Sequence, residues 1–300
     1  MDRCVVSSIL LIQIYMNGRS SIMETQFSDL ERRLSAALAE NKRLRNLLKV
    51  TDGVEPPSAQ PVLVVPDPGL VTNDSPNPVK LALFANRFAA RRDVYAYYWE
   101  NKRHGTHGWS PAAQDQYGKR SLWERKPRPL TMEVMSHHLS SVNPLFLGLY
   151  PLLPDATCWW LAVDFDGSQA MLDAHAYVKA ALSMGVPCGL EVSQSGRGAH
   201  VWTFFTTPVP ASDARAMGTA CLHRAMGLRG SMPLTSYDRL FPNQDTVPTT
   251  SASVGNLIAA PLNGQRKAER HTTLFIDMLT WEPYEDQWEY LSHLDRMTPR

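Results

Sequence analysis

At 300 residues with 44% hydrophobic side chains, the chain can close one large or two ordinary domains around real cores. Its 30 basic residues stand against 29 acidic ones, so net charge carries no nucleic-acid signature, and any basic surface must come from local clustering. The four cysteines, Cys4, Cys158, Cys188 and Cys221, are far apart and form no CxxC pair. That pattern excludes a structural zinc built on paired thiolates and fits a reducing, cytoplasmic setting.

In chain order, residues 5–16 hold a short apolar run behind Arg3. It is too short to span a bilayer, and no small-residue cleavage site follows it, so no membrane attachment is expected. Met23 opens a cleaner helical sequence, and residues 1–22 read as an uncertain leader or an over-extended translation start. Over residues 23–50 the pattern is heptad. Phe27, Leu34, Asn41 and Leu48 share one seven-residue spacing, and Leu30, Ala37 and Leu44 share the other core position. A single Asn in an apolar seam selects a parallel, in-register dimer; an amphipathic helix packed on its own domain is the other reading. Residues 51–78 are proline-rich and read as a linker.

A globular domain is predicted over residues 79–300, opening with Leu81, Phe84, Phe88 and Val94 as an apolar helix face. In DVYAYYWENKRHGTHGWSP, tyrosines and Trp99 interleave with Lys102, Arg103 and His104, and a second basic group runs from Lys119 to Arg128. Such interleaving suits single-stranded nucleic acid, since rings stack bases and cations hold phosphates; a half-buried strand with a charged turn fits it too. Thr131 is placed to cap a helix bearing Met132, Met135 and Leu139, with His137 and His138 expected on the surface.

Residues 159–167, WWLAVDFDG, are the informative stretch. As a strand, its period of two puts Asp164 and Asp166 on one face and Phe165 on the other. Their Cα atoms are then about 6–7 Å apart, close enough to share divalent cations, which is how a two-metal phosphoryl-transfer site begins. Taken alone, DxDG also fits a solvated strand end, an Asx turn or a calcium loop.

A helix is predicted over residues 170–184, strands over 189–193 and 199–205, and a second helix over 211–226. This α+β order is compatible with an RRM-like unit. Between the two strands lies the turn of SGRGAH. Gly196 and Gly198 let the backbone bring N–H groups close to a phosphate, and Ser195 and Arg197 can add donors. His200 alternates with Trp202 and Phe204 and shares their face. It can donate to a triphosphate, or be a hydrogen-bonded strand residue. A third carboxylate comes from SYDRLFPNQD, with Asp238 preferred and Asp245 in reserve, because Asx-turn chemistry explains Asp245. Residues 255–262 read as a buried strand, and Arg266 and Lys267 as cations within reach of phosphates or as an exposed loop.

Taken in order, VDFDG, SGRGAH, YDRLFPNQD and GNLIAAPL resemble the archaeo-eukaryotic primase superfamily, and most nearly the primase domain of the TOTE conflict systems. The resemblance implies an α+β catalytic core of two packed units, one of them RRM-like, preceded here by the coiled-coil helix. It implies a nucleotidyltransferase, a DNA primase-polymerase, in which Asp164, Asp166 and Asp238 hold two Mg²⁺ or Mn²⁺. Ser195, Gly196, Arg197 and His200 would contact the incoming nucleoside triphosphate, on a single-stranded DNA or RNA template. Helicase and nuclease partners would act in trans. Domains of this type carry a cysteine cluster before the helix that starts at PLT, whereas residues 110–129 hold no cysteine, and no zinc site is expected. A catalytically degenerate nucleic-acid-binding module and a metal-dependent nuclease are the alternatives.

If the heptads associate, light scattering gives a dimer mass for the full chain and a monomer mass after deletion of residues 27–48. A monomer mass in both removes the coiled coil as a dimerisation element.

Overall fold

The computed structural model describes residues 65–115, 122, 124–142, 144–229, 236–247 and 254–299; the leader, the heptads and the first part of the linker lie outside them. Residues 65–76, read from their prolines as linker, are packed. Val71 is fully buried and its N–H donates to Ser292 Oγ at 3.0 Å, while Asp67 pairs with Arg296 at 3.1 Å. Proline-rich backbone can lie across a folded body when its few N–H groups find partners. Helix α1 (Asn77–Arg87) follows, with Pro78 in the first turn, where a missing N–H costs nothing. It buries Leu83 and Phe84, with Phe88 just past its end. The aromatic and basic stretch folds as a hairpin of β1 (Ala96–Asn101) and β2 (Thr106–Pro111). Thr131 accepts from the Val134 N–H and caps α2 (Met132–Leu139). Then β3 (Leu147–Leu149) pairs with β1.

From there β4 (Thr157–Phe165), α3 (Ala170–Ser183), β5 (Gly189–Val192), β6 (Ala199–Pro210), α4 (Ala211–Leu228) and β7 (Tyr237–Phe241) follow in order. These strands lie as β5-β6-β4-β7 with antiparallel neighbours, a split β-α-β arrangement. Of the strand predicted over residues 255–262, only β8 (Ile258–Ala259) pairs; it joins β3 and completes the first sheet as β2-β1-β3-β8. Next come α5 (Gly264–Arg270), α6 (Gln287–His293) and β9 (Arg296–Met297), the last running parallel to β6. Among the described residues no helix is long and apolar enough to cross a membrane.

Strand β4 is buried on both faces. Leu161, Val163 and Phe165 point to α3 and α4, where Ala174, Tyr177, Val178, Ala181, Cys221 and Leu222 complete one core. Trp160 and Ala162 point the other way, into a second core with Phe88, Trp202, Phe204 and Leu147. Continuing the alternation puts Asp164 on the second side. The described cysteines, Cys158, Cys188 and Cys221, are free and buried.

His138 corrects the sequence reading: it is fully buried, not at the surface. Position 138 follows Met135 by three residues and so falls on the buried stripe of α2. Its Nδ1 accepts from the Leu147 N–H at 3.2 Å, which places the proton on Nε2, donated to the Pro261 carbonyl at 2.8 Å. Burial pushes this imidazole down to about 4. The unfolded chain therefore takes up a proton near pH 6.5 that the folded one refuses, and stability falls as pH drops from 6.5 toward 4. Two outcomes follow for His138→Phe, measured by urea unfolding. At pH 7 it costs about 2–4 kcal/mol, because the Leu147 N–H and the Pro261 carbonyl lose their partner. At pH 5 the penalty shrinks by about 2 kcal/mol, since only the wild type pays for the proton.

Candidate active site

Three acidic side chains meet where β4 ends and β7 begins. Oxygens of Asp164, Asp166 and Asp238 all lie within 4.8 Å of one another. Asp164 reaches the cluster by strand alternation, and Asp166 stands just past the end of β4, its N–H donated to the Ser236 carbonyl at 2.8 Å. Asp238 arrives by a different device. In the β4–β7 ladder Asp164 opposes Arg239 and Phe165 opposes Tyr237, so Asp238 is the extra residue of a β-bulge. A regular strand would alternate Asp238 away from the face that Arg239 shares with Asp164; the bulge re-aims it. Asp245 stays out of the cluster and pairs with Arg215 on α4.

Buried behind this corner is Asp173 of α3, 1% exposed, which accepts from Ser236 Oγ at 2.7 Å and has Arg229 Nε at 2.9 Å. The pair fixes Ser236 and, through its carbonyl, the backbone of Asp166. Burial raises Asp164 to about 6; His200 opposes the rise, and Asp166 and Asp238 add to it. Arg239 hydrogen-bonds Asp238. Mutual repulsion of this kind is what a divalent cation relieves, and carboxylate oxygens are the ligands that Mg²⁺ and Mn²⁺ prefer. Among the described residues this is the only group of three or more His, Cys, Asp or Glu side chains close enough to share a metal.

His200 lies directly across from Asp164 in the β4–β6 register. Its Nε2 is 3.5 Å from Asp164 Oδ1, and its Nδ1 is 3.0 Å from Glu191 Oε2. Burial of the ring works against its charge, but Glu191, then Asp164 and Asp166, outweigh that, and the imidazole is raised to about 9.

The turn before β6 differs from expectation in its donors. Ser195 Oγ accepts from the N–H groups of Arg197 and Gly198 at 3.1 and 3.2 Å, and the Gly196 N–H goes to the Ser193 carbonyl at 3.0 Å. All three amides are used inside the turn, so Ser195 is its internal brace. The Ser195 hydroxyl, 3.1 Å from Ser193 Oγ, and His200 line the cavity below with donors for an anion, while the exposed Arg197 side chain lies outside that lining. Gly196 holds φ +71, and Gly198 has no room for a side chain: a Cβ there would sit 2.7 Å from Asp166 Oδ1 and 2.8 Å from the Phe165 carbonyl.

A cavity of about 420 Å³ opens over this corner, walled by Trp109 of β2 and by residues 255–259, so both sheets contribute to it. Arg266 is not in its lining; it pairs with Glu100 at 2.9 Å and lies over the rings of Tyr98 and Phe146. Sequence reasoning missed Glu191, Arg239 and Trp109. The signal for Glu191 was a lone acid inside the apolar strand GLEV; for Trp109 no local signal existed, because its place depends on the pairing of two sheets. Gly198→Ala is expected to lower the melting temperature and to weaken Mn²⁺ binding about tenfold or more, since the Phe165 carbonyl behind Asp166 cannot yield and the clash displaces Asp166. Calorimetric titration with Mn²⁺ checks it, and unchanged affinity overturns it.

A family model described as "TOTE conflict system, Archaeo-Eukaryotic Primase domain" matches residues 79–300. No curated protein matches the chain. Among solved structures, the polymerase domain of Mycobacterium tuberculosis ligase D in complex with DNA is similar at 13% identity and a TM-score of 0.38, covering 74% of this chain and 85% of that one. That likeness is too distant to assign a site. The family match takes in most of the chain and the whole carboxylate corner, and by it the protein belongs to the archaeo-eukaryotic primase domains of the TOTE conflict systems.

Proposed function

We propose that the protein is a template-dependent nucleotidyltransferase, a DNA primase-polymerase serving a TOTE conflict system. The observation that carries this reading is the meeting of Asp164, Asp166 and Asp238 within 4.8 Å at an open cavity, with His200 Nε2 3.5 Å from Asp164. The strand order of the second sheet supports the RRM-like description of this unit.

In this reading Asp164, Asp166 and Asp238 hold two divalent cations, Mg²⁺ or Mn²⁺. When bound, such ions supply charge neutralisation and a more acidic 3′-hydroxyl. Ser195, Arg197 and His200 bind and orient the triphosphate, Gly196 lets the turn bring them to it, and Gly198 lets that turn approach Asp166. The bond formed joins the 3′-oxygen to the α-phosphorus, and the bond broken releases pyrophosphate. The template is a single strand of DNA or RNA. Association through residues 27–48, and helicase and nuclease partners in trans, belong to the same proposal.

Primer synthesis and extension with Mn²⁺ or Mg²⁺, a single-stranded template and each class of nucleotide test it. Product is expected, and Asp164→Ala and Asp238→Ala are each expected to remove it by about a thousandfold or more, whereas Asp245→Ala leaves most of it. Strand cleavage without triphosphates would reassign the carboxylates to a nuclease. Template binding without synthesis, indifferent to metals, would make the domain a binding module.

A further inference from the structure

Behind His200 stands a second carboxylate that this chemistry does not use. Glu191 on β5 is fully buried and directly opposite His200 in the β5–β6 ladder. One of its oxygens, Oε2, accepts both from His200 Nδ1 at 3.0 Å and from Trp202 Nε1 at 2.6 Å. The other, Oε1, is buried without a hydrogen-bond partner. Trp202 is itself fully buried and meets the His200 ring edge-on, with centroids 6.1 Å apart at 84°.

A buried carboxylate with an idle oxygen costs folding free energy, and an apolar side chain would fill the same space more cheaply. What the carboxylate provides is direction. With Nδ1–H committed to Oε2, the imidazole cannot turn over without setting a ring carbon against the acceptor and moving its donor out of line. Nε2 is thereby the edge that faces Asp164, at 3.5 Å, in the wall of the cavity. The Trp202 N–H holds the acceptor in turn, so ring, carboxylate and indole form one fixed unit.

We infer that Glu191 is a positioning residue: held by Trp202, it fixes the His200 ring with Nε2 presented to the cavity, so that this nitrogen is in place to donate to the phosphates of an incoming nucleoside triphosphate. The inference rests on the reading of the cavity as a triphosphate site. Glu191 touches neither nucleotide nor the carboxylate corner and acts through His200 alone.

Two substitutions separate direction from bulk. In Glu191→Gln the amide oxygen can still accept from both donors while its NH₂ takes the idle position, whereas Glu191→Leu removes the acceptor and keeps the volume. In the full chain without nucleotide, long-range ¹H–¹⁵N NMR is expected to show His200 fixed with Nδ1 protonated in wild type and Glu191→Gln, and no longer fixed in Glu191→Leu. In extension assays Glu191→Leu is expected to raise KM for the triphosphate about tenfold with kcat within about threefold, and Glu191→Gln to restore most of that loss. Mn²⁺ affinity should stay level in both. Unprotonated Nδ1 in the wild type, a KM unmoved by Leu, or Gln as impaired as Leu overturns the inference. If Glu191→Leu does not fold, the wild-type spectrum and the Gln variant still decide. If no variant synthesises primers, the polymerase reading fails, and the NMR result alone decides whether Glu191 orients the ring.

Discussion

Three carboxylates within 4.8 Å of one another repel, and much of the surrounding architecture is what keeps them there. In water such side chains would splay apart. Here Asp164 is locked into the central strand between two cores, Asp166 is tied through its N–H to Ser236, and Asp238 is turned inward by a bulge. Behind the backbone, buried Asp173, paired with the partly exposed Arg229, holds Ser236 in place. Opposite charge comes from His200 and Arg239, which partly balance the cluster.

The second constraint is that β4 has no solvent face. One side is reserved for α3 and α4 and the other for the aromatic core of Trp160, Trp202, Phe88 and Phe204. On that second side Asp164 and His200 lie where the core gives way to the cavity, each with a charged neighbour, and Glu191 sits buried behind them against His200 and Trp202. The carboxylate corner and the hydrophobic packing are therefore written into the same strands, two residues apart.

Legibility in the sequence followed the range of the interaction. The DxD on one face, the helices after β4 and β6, the Thr131 cap and the glycine turn are local, governed by period and cap chemistry, and could be read directly. Asp238 could be singled out as a carboxylate near a strand end, but its aim could not, because a bulge is a property of two paired strands. The surface reading of His138 failed because its partners, Leu147 and Pro261, lie outside its own helix and their polarity is what makes a buried imidazole tolerable. Prolines in residues 65–76 argued for a linker and could not say that the segment is docked. The turn's amides were expected to face outward; Ser195, at the right spacing to brace them, turned them in.

Where that docked path meets the end of the folded body, Asp67 is joined to Arg296, and Arg87 of α1 donates to the carbonyls of Ser292 and Leu294 at the end of α6, both at 2.9 Å. The stretch before α1 and the stretch after α6 are thereby clasped to each other and to α1, so three segments distant in sequence close one edge of the folded body together.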